Sequence, residues 1–417
     1  MEHFDVLIVG AGHGGAQAAI QLRQEKFEGS IALVGDEPWL PYDRPSMSKD
    51  YLSGAKTFDR LALRSATAWT ERDILLRPGV RVVAVDPVER RATTDAGDVL
   101  SYGRMIWAAG AAPRGLTCAG CDLEGVHVLR GREDVDGLLA GLDTVRDIVV
   151  IGGGYIGLEA AAALIKMGKR VTVVEARERL LARTSGEIVA RTFETTHRSM
   201  GVNFRFSLSV AELRGRDGRV SAVVLSNDEV LRADRVVVGI GVTPAVQPLL
   251  DAGADGDDGV LVDEFCRTSL DGVFAIGDCA RHVNPFAGVD PIRLECVQNA
   301  HDQAQTATRY ICGRPAPYVA APWFWSNQYD LRLQSVGLAL GYDAAVVRGD
   351  ADSASYSVVY LRKGRVIALD CVNSVKDYVQ GRALVVGRAV ISEAALADAS
   401  TPLKALQSAV AEAVIEG

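Results

Sequence analysis

Two glycine-rich turns carry the clearest chemical signal in this sequence. Residues 10–15 are Gly-Ala-Gly-His-Gly-Gly, and residues 152–157 are Gly-Gly-Gly-Tyr-Ile-Gly. Glycines at these spacings permit a tight turn, let backbone N–H groups approach a phosphate, and let a helix pack closely on a strand. Each turn therefore predicts a site for the pyrophosphate of a dinucleotide.

An acidic residue follows each turn at the distance typical of a ribose-binding carboxylate. Asp36 lies 24 residues after Gly12, and Glu175 lies 23 residues after Gly152. An acid about 20 residues beyond such a turn can accept hydrogen bonds from ribose hydroxyls. Two complete copies of this pattern predict two dinucleotide sites in one chain.

The segments around the turns predict the elements that position them. Short β-branched segments precede each turn, and Ala-rich segments follow it. The predicted order is strand, turn, helix and strand in both copies. In the first copy these are Phe4–Val9, residues 10–15, a helix to Leu22 and Ser30–Val34. In the second they are Asp147–Ile151, residues 152–157, Leu158–Met167 and Arg170–Glu175.

Composition limits the class of protein. The chain has 417 residues, 48% of them hydrophobic and 24% charged, with a net charge of −8. These values favour a soluble enzyme of two to three domains and disfavour disorder. A net acidic chain is poorly suited to nucleic acid or an anionic membrane, and no uncharged apolar run reaches the roughly 18 residues of a membrane span. We therefore expect a soluble protein without nucleic-acid or membrane partners.

The cysteines and histidines do not predict a metal or disulfide framework. Seven cysteines are an odd number for a disulfide framework, which favours a reducing cytoplasm. Cys118 and Cys121 form the single C-x-x-C, so no second pair completes a four-thiolate site. The six histidines show no i, i+4 pairing. We expect no bound metal, and the role of the Cys118–Cys121 pair stays open.

Several motifs together resemble the FAD-dependent ferredoxin reductases of bacterial oxygenase systems, within the glutathione-reductase-like superfamily. The resemblance spans nearly the whole chain. It rests on residues 10–15, 41–49 (Pro-Tyr-Asp-Arg-Pro-Ser-Met-Ser-Lys), 108–113, 152–159, 239–244, 268–278, 293–300 and 322–328 (Pro-Trp-Phe-Trp-Ser-Asn-Gln).

The resemblance implies an α/β fold with two Rossmann-like domains and a smaller α+β C-terminal domain. The FAD-binding domain is discontinuous, comprising residues 1–115 and 242–317, and the NADH-binding domain, residues 116–241, is inserted into it. An interface domain follows over residues 318–417. In it, alternation predicts a hairpin of Ser355–Leu361 and Val366–Asp370 with a turn at Lys363-Gly364, followed by helices to Gly417.

The resemblance also implies the site residues. Lys49 and Glu159 are expected to pair and to position the nicotinamide and the flavin. FAD contacts are expected at Gly10, Gly12, Gly14, Gly15, Asp36, Arg44, Lys49, Val82, Ala109, Arg130, Asp278, Val297 and Trp325. NADH contacts are expected at Gly152, Gly154, Tyr155, Ile156, Glu159, Glu175 and Gly241.

The implied activity is hydride transfer from NADH to N5 of FAD. Two one-electron transfers then pass to a [2Fe–2S] ferredoxin that serves a Rieske aromatic-ring dioxygenase or a cytochrome P450. The carboxylate of Glu175 favours NADH over NADPH, although Arg177 and Arg179 can weaken that preference. The helix start near Val297 can stabilise charge at the flavin's pyrimidine end. Monomer and homodimer are both open.

Basic residues of the C-terminal third can steer an acidic ferredoxin: Arg309, Arg314, Arg332, Arg362, Lys363 and Arg365. Two alternatives remain. One is a reductase of the same fold with another acceptor, such as rubredoxin, a disulfide, dioxygen or a peroxide. The other is a non-catalytic signalling flavoprotein, which the net charge disfavours.

Three positions depart from the family pattern. Ala109 replaces a threonine, Ser46-Met47 replaces Pro-Leu, and Asn327 replaces an aspartate. None of these changes removes a group that the hydride chemistry requires. The last one removes a negative charge expected near the flavin edge.

Overall fold

The computed structural model describes residues 1–353 and 355–406 and divides into two compact units. The first comprises Met1–Arg44, Thr57–Ala112 and Val242–Pro322; the second comprises Pro45–Lys56, Pro113–Gly241 and the chain from Trp323 onwards. The segment that holds Lys49 therefore groups with the second unit, although the sequence placed it in the FAD domain. The finer division into three domains stays a prediction.

A seven-stranded sheet forms the centre of the first unit. Its parallel part has the order Ile74–Pro78, Ile31–Gly35, Glu2–Val9, Val99–Trp107 and Val273–Ala275. Antiparallel strands Arg91–Thr94 and Val82–Asp86 extend it beyond Val99–Trp107. Ile31–Gly35 is buried along its whole length, as expected for a parallel strand covered on both faces.

The other elements of the first unit are short except for two helices. His13–Gln24 and Val297–Ile311 contact each other through small side chains such as Ala18, Ala304 and Ala307. Two more helices are Ala66–Thr70 and Gln247–Asp251, and 3₁₀ turns cover Phe58–Leu61 and Gly277–Cys279. A further 3₁₀ turn, Arg44–Ser48, begins in the first unit, and its residues from Pro45 onwards belong to the second. The remaining strands are Ala111–Pro113 with Val242–Pro244, and the sheet of Gly256–Asp257, Gly259–Val262, Ala280–Val283 and Pro291–Arg293.

The second unit repeats the parallel arrangement. Its five-stranded sheet has the order Asn203–Phe206, Arg170–Glu175, Asp147–Ile151, Arg235–Val238 and Val126–Val128. Helices Arg132–Leu139, Tyr155–Lys166 and Glu187–Ser199 accompany it, with a 3₁₀ turn at Leu142–Thr144. A three-stranded antiparallel sheet follows: Val210–Arg216, Arg219–Leu225 and Val230–Arg232.

A five-stranded antiparallel sheet dominates the C-terminal part of the second unit. Its order is Trp323–Gln328, Leu331–Gly337, Arg365–Val372, Tyr356–Arg362 and Ala344–Gly349. The expected hairpin lies within it, and both Lys363 and Gly364 have positive φ angles in its turn. Helices Val375–Val386 and Glu393–Ala397 follow, as expected, while the last part of the predicted helical segment, residues 407–417, lies outside the described residues. The predicted α/β fold class is confirmed.

Candidate functional site

The register of the first sheet brings four predicted segments to one edge. Val9 pairs with Val34 and Trp107, and Trp107 pairs with Ala275. Because these parallel strands end together, the residues that follow them share the carboxyl edge of the sheet, where open α/β sheets bind ligands. Those residues are Gly10–Gly15, Asp36, Ala108–Gly110 and Ile276–Asp278.

Two glycines of the first turn, Gly10 and Gly15, leave no room for a side chain. Gly10 has φ +107°, and a Cβ there would lie 2.2 Å from the carbonyl oxygen of Ala108. A Cβ at Gly15 would lie 1.9 Å from the Gly10 oxygen. At Gly12, in contrast, no atom of the described residues lies within 4 Å of that position. Gly10 and Gly15 therefore serve the fold, and Gly12 leaves space for a ligand.

Two acids and an arginine follow the second strand of this edge. Asp36 is exposed, whereas Glu37 accepts a hydrogen bond from Tyr42 at 2.6 Å and pairs with Arg44. Asp36 is thus the carboxylate open to a ribose. The Arg44 guanidinium is held at this edge by Glu37, which the sequence prediction missed although it adjoins Asp36.

Val82 and Ala109, two expected FAD contacts, also lie in the first unit. Val82 is buried and pairs with Thr94 at the start of its strand. Ala109 adjoins the first glycine turn, because a Cβ at Gly10 would lie 2.6 Å from its backbone nitrogen. Both positions can therefore present backbone rather than functional side-chain groups.

A buried polar network supports the turn that contains Asp278. Gln303 Oε1 accepts from the Gly277 N–H at 2.7 Å, and Gln303 Nε2 contacts His282 Nδ1 at 3.2 Å. Asn299 donates to the Leu294 carbonyl at 3.0 Å and accepts from the Tyr318 hydroxyl at 2.9 Å. These contacts fix the turn beside the N-terminus of the Val297–Ile311 helix. The sequence predicted Val297 here but not the network.

The second glycine turn repeats the geometry of the first. Gly152 has φ +108°, and a Cβ there would lie 2.3 Å from the Gly239 oxygen. A Cβ at Gly157 would lie 2.1 Å from the Gly152 oxygen, while the same position at Gly154 has no atom of residues 1–353 and 355–406 within 4 Å. Gly154 thus matches Gly12 as the open position of its turn.

Glu175 closes this turn from the end of the neighbouring strand. Its carboxylate accepts from the Gly153 N–H at 2.7 Å and the Arg177 N–H at 2.8 Å. The Arg179 guanidinium donates to backbone carbonyls, including that of Ser185 at 3.1 Å, so it is already committed. Of the two arginines that follow Glu175, Arg177 has the exposed side chain.

The other expected NADH contacts differ in exposure. Tyr155 is partly buried and its hydroxyl contacts Ser185 Oγ at 2.6 Å, whereas Ile156 is exposed. Gly241 has φ +106°, and a Cβ there would lie 3.8 Å from the Arg183 guanidinium. Ile156 and Gly241 can therefore contact a ligand, while the Tyr155 ring packs against Phe324.

Lys49 and Glu159 form an ion pair. Lys49 Nζ lies 2.8 Å from Glu159 Oε2, and the Glu159 side chain is 2% exposed. Ser48 donates to the same oxygen at 2.7 Å, and Ser326 donates to Oε1 at 2.6 Å. The sequence predicted the pair but missed both serines. For Ser326 a signal existed, because alternation along Trp323–Gln328 places it on the buried face.

Trp325 and Asn327 occupy the opposite face of that strand from Ser326. Trp325 packs against Trp323 with a ring separation of 5.4 Å, and Asn327 is exposed. The replacement of the family's aspartate by Asn327 therefore removes a negative charge from a solvent-facing position. The expected flavin contacts of Trp325 and Arg130 stay predictions.

The four basic residues of the second unit do not form one patch. Arg362, Lys363 and Arg365 lie at the hairpin turn, whereas Arg332 pairs with Asn373 at the other end of the sheet. The intervening strand separates them by about 25 Å. In the first unit, Arg309 and Arg314 pair with Glu25. These four residues therefore do not form a single cluster, and their role in steering a ferredoxin stays a prediction.

The cysteines are all free thiols, and the structure gives them no shared site. Burial raises the pKa of Cys118, which lowers its thiolate fraction. No group of three or more His, Cys, Asp or Glu side chains in the described parts of the chain could hold a metal. Over the same residues, no helix is both long and apolar enough to cross a membrane.

Comparison with known families decides what these sites belong to. A model of the pyridine nucleotide-disulphide oxidoreductases matches residues 4–308. The chain belongs to this family. A second model, of the reductase C-terminal domain, matches residues 323–407. The resemblance to FAD-dependent ferredoxin reductases is confirmed, and family membership implies an oxidoreductase that uses FAD and a pyridine nucleotide.

Relatives in this family match along almost their full length. A ferredoxin–NAD(P)⁺ reductase of Sphingomonas is 54% identical, covering 96% of this chain and 97% of its own. The ferredoxin reductase subunit of the 5,5'-dehydrodivanillate O-demethylase of Sphingobium is 53% identical, covering 98% and 100%. The ferredoxin reductase of the CYP199A2 system from Rhodopseudomonas palustris has a TM-score of 0.93 at 36% identity, covering 96% and 99%.

The described residues fit the two dinucleotides that the family uses. The N-cap residues of the helices after the two turns are Gly12 and Gly154, neither of which has a side chain that could cap the helix. The first N–H groups of each helix therefore remain for a phosphate. The open Cβ positions at the same two glycines leave space for it.

Proposed function

We propose that this chain is an NADH:ferredoxin oxidoreductase, with FAD at the first glycine turn and NADH at the second. The observation that carries the proposal is that one chain holds two glycine turns, each with an open position, and an ion pair between Lys49 and the buried Glu159 on the helix after the second turn. The names of the Sphingomonas and Sphingobium relatives support ferredoxin as the acceptor. Bound FAD supplies the chemistry of accepting a hydride and releasing electrons singly.

The residues of the first unit hold the cofactor by complementary charge. N–H groups of the first glycine turn and the helix dipole would face the pyrophosphate. Asp36 would accept from the adenosine ribose, Arg44 would offer a guanidinium to phosphate, and Asp278 would accept from the ribityl chain. The N-terminus of the helix at Val297 would supply positive dipole charge to the bound group.

The residues of the second unit orient the nicotinamide nucleotide. The second glycine turn would face its pyrophosphate, and Glu175 would accept from its adenosine ribose. Lys49, whose ammonium is held by Glu159, would supply a positive charge to the bound nicotinamide nucleotide. These groups orient and stabilise charge without a catalytic triad.

Glu175 makes the proposed preference for NADH testable. Glu175→Gln removes the charge that repels a 2′-phosphate, and its amide oxygen can still accept from the Gly153 N–H. We expect the ratio of kcat/KM for NADH to kcat/KM for NADPH to fall by about tenfold or more. Steady-state rates with both nucleotides measure it.

Glu178→Gln is the matched control, because Glu178 is an exposed acid three residues further on. The control should leave the ratio unchanged. A wild-type enzyme that prefers NADPH, or a Glu175→Gln variant with the wild-type ratio, would refute the role of Glu175.

The main competing acceptor is a disulfide, which would require a reactive thiol. Burial raises the pKa of Cys279 to about 12 and that of Cys296 to about 11, so both are weak nucleophiles at neutral pH. We expect a Cys118→Ser, Cys121→Ser double variant to retain ferredoxin reduction within about twofold of wild type. Iodoacetamide treatment of wild-type enzyme should likewise leave the activity intact. Inactivation by either change would favour the thiol-dependent alternative.

The acceptor class is tested with a panel. FAD-loaded enzyme is given NADH and, separately, a plant-type [2Fe–2S] ferredoxin coupled to cytochrome c, rubredoxin, oxidised glutathione, hydrogen peroxide and dioxygen. We expect the highest kcat/KM with the ferredoxin. A higher value for any other acceptor would replace ferredoxin in the proposal.

The proposed partner is a [2Fe–2S] ferredoxin that supplies a Rieske aromatic-ring dioxygenase or a cytochrome P450. The CYP199A2 and O-demethylase relatives support such a system. We place the reaction in the cytoplasm, since seven free cysteines suit a reducing compartment. The active species is a monomer or a homodimer.

A further inference from the structure

The buried carboxylate of Glu159 is the end of a longer chain of hydrogen bonds within the second unit. Ser326 Oγ donates to Glu159 Oε1 at 2.6 Å, and Gln328 Nε2 donates to Ser326 Oγ at 3.1 Å. Gln328 Oε1 lies 2.7 Å from Nε2 of His197. Ser326, Gln328 and His197 are all buried, at 2% exposure or less.

The direction of every bond in this chain follows from its carboxylate end. An ionised carboxylate only accepts, so the single hydroxyl proton of Ser326 must point to Glu159. Ser326 then accepts from the Gln328 amide, which turns the Gln328 carbonyl oxygen toward His197. That oxygen requires a proton on Nε2 of His197, so a neutral ring carries no proton on Nδ1.

The surroundings of His197 agree with this assignment. Burial lowers the pKa of His197 to about 4, so the ring is neutral at physiological pH. Nδ1 is buried and has no hydrogen-bond partner within residues 1–353 and 355–406, as expected for the unprotonated nitrogen. The ring packs edge-on against Tyr329 and Phe204, with centroid separations of 5.0 and 6.3 Å.

We propose that Ser326, Gln328 and His197 are positioning residues that orient Glu159 and, through it, hold the Lys49 ammonium in place for hydride transfer. The inference rests on the proposed function but concerns residues that need not touch NADH or FAD. Aligned hydrogen-bond donors polarise one another. The chain of hydrogen bonds therefore also adds positive potential at the Glu159 carboxylate, which is removed from water. An anchored carboxylate in turn restricts the flexible lysine side chain.

Ser326→Ala removes one oxygen atom and with it the first hydrogen bond of this series, the one from Ser326 to Glu159. We expect the anaerobic rate of flavin reduction by NADH to fall about tenfold with little change in KM, since the lost bond is to a charged group. In a Glu159→Gln background the same substitution should have almost no further effect, because residues that act through one group are not additive. Gln328→Met breaks the next link and should lower the rate in the same direction.

Thr192→Val is the matched structural control. Thr192 lies on the same helix as His197, and its hydroxyl contacts the Tyr356 hydroxyl at 2.6 Å. This contact is not part of the hydrogen-bond series that leads to Glu159. This variant should lose about as much stability as Ser326→Ala but should keep the wild-type rate of flavin reduction by NADH. An equal loss of rate in Thr192→Val, or a Ser326→Ala rate equal to an active wild type, would overturn the proposal.

A second readout does not depend on turnover. Nitrogen-15 NMR of histidine-labelled FAD-loaded protein, assigned with His197→Phe, should show a neutral Nε2–H tautomer for His197 between pH 6 and 8. The resonance should move in Ser326→Ala and stay in Thr192→Val. An Nδ1–H tautomer would overturn the proposal even in an active enzyme. Wild-type flavin that NADH does not reduce would instead refute the proposed function.

Discussion

A Gly12→Val variant is expected to fold and to lose FAD. Gly12 has φ −81°, which any residue can adopt, and among the described residues no atom would meet its Cβ within 4 Å. The added side chain would instead occupy the space proposed for the pyrophosphate. Overpacking of about 1–3 kcal/mol corresponds to roughly five- to 150-fold weaker binding. Flavin absorbance of the purified protein and titration of apoprotein with FAD measure the loss.

Two neighbouring substitutions make this result specific. Gly154→Val places the same side chain in the second turn and should keep FAD but raise KM for NADH. Gly10→Ala should instead destabilise the fold by about 3 kcal/mol or more, because φ is +107° and the Cβ would clash with Ala108. A Gly12→Val protein that retains stoichiometric FAD would contradict the assignment of the first turn.

The second large effect is expected from Lys49→Met. This change removes the ammonium and leaves Glu159 buried with two serine hydroxyls as partners. Removing one preorganised electrostatic group from an active site costs roughly a hundredfold in rate. We expect the anaerobic rate of flavin reduction by NADH to fall by that factor. The rate is measured in a stopped-flow instrument as the decrease in flavin absorbance. The FAD content should remain close to that of wild type.

Stability and rate can be separated in the same experiment. A Lys49→Met, Glu159→Gln double variant removes both charges, so it should recover stability relative to Lys49→Met without recovering the rate. Lys56→Met is the control within the same segment, because Lys56 pairs with Asp50 at 2.7 Å but is about half exposed. Wild-type reduction by Lys49→Met would show that the pair is only structural.

The glycine turns and their acids could be predicted because local sequence determines them. Gly10 and Gly152 occupy positive-φ turns directly after buried strands, and these conformations belong almost exclusively to glycine. Asp36 and Glu175 follow from the fixed length of a strand–helix–strand unit. The parallel strands were similarly evident from continuous apolar segments such as Asp147–Ile151.

The partners of Glu159 could not be derived from spacing. Ser48 and Glu159 are 111 residues apart, and Ser326 is 167 residues from Glu159, so tertiary packing alone brings them together. The Lys49–Glu159 pair was accessible only through resemblance to a family. Ser326 and Gln328 were not predicted as site residues. The alternation of their strand nevertheless places them on the face opposite Trp323 and Trp325.

The C-terminal sheet shows the same limit at the level of the fold. Its central hairpin follows from alternation and from a Lys363-Gly364 turn in which both residues adopt positive φ. The Trp323–Gln328 strand was not predicted from the sequence. Strand preference depends on cross-strand neighbours, and the partner strand Leu331–Gly337 was not recognised in the sequence.

One anaerobic titration tests the central claim, that this chain passes electrons from NADH through FAD to a ferredoxin. The visible spectrum of the purified protein is recorded, NADH is added stepwise, and a plant-type [2Fe–2S] ferredoxin is then added. We predict a flavin spectrum that one equivalent of NADH bleaches and that about two equivalents of oxidised ferredoxin restore. Protein that binds no flavin, or reduced flavin that the ferredoxin fails to reoxidise, would contradict the account.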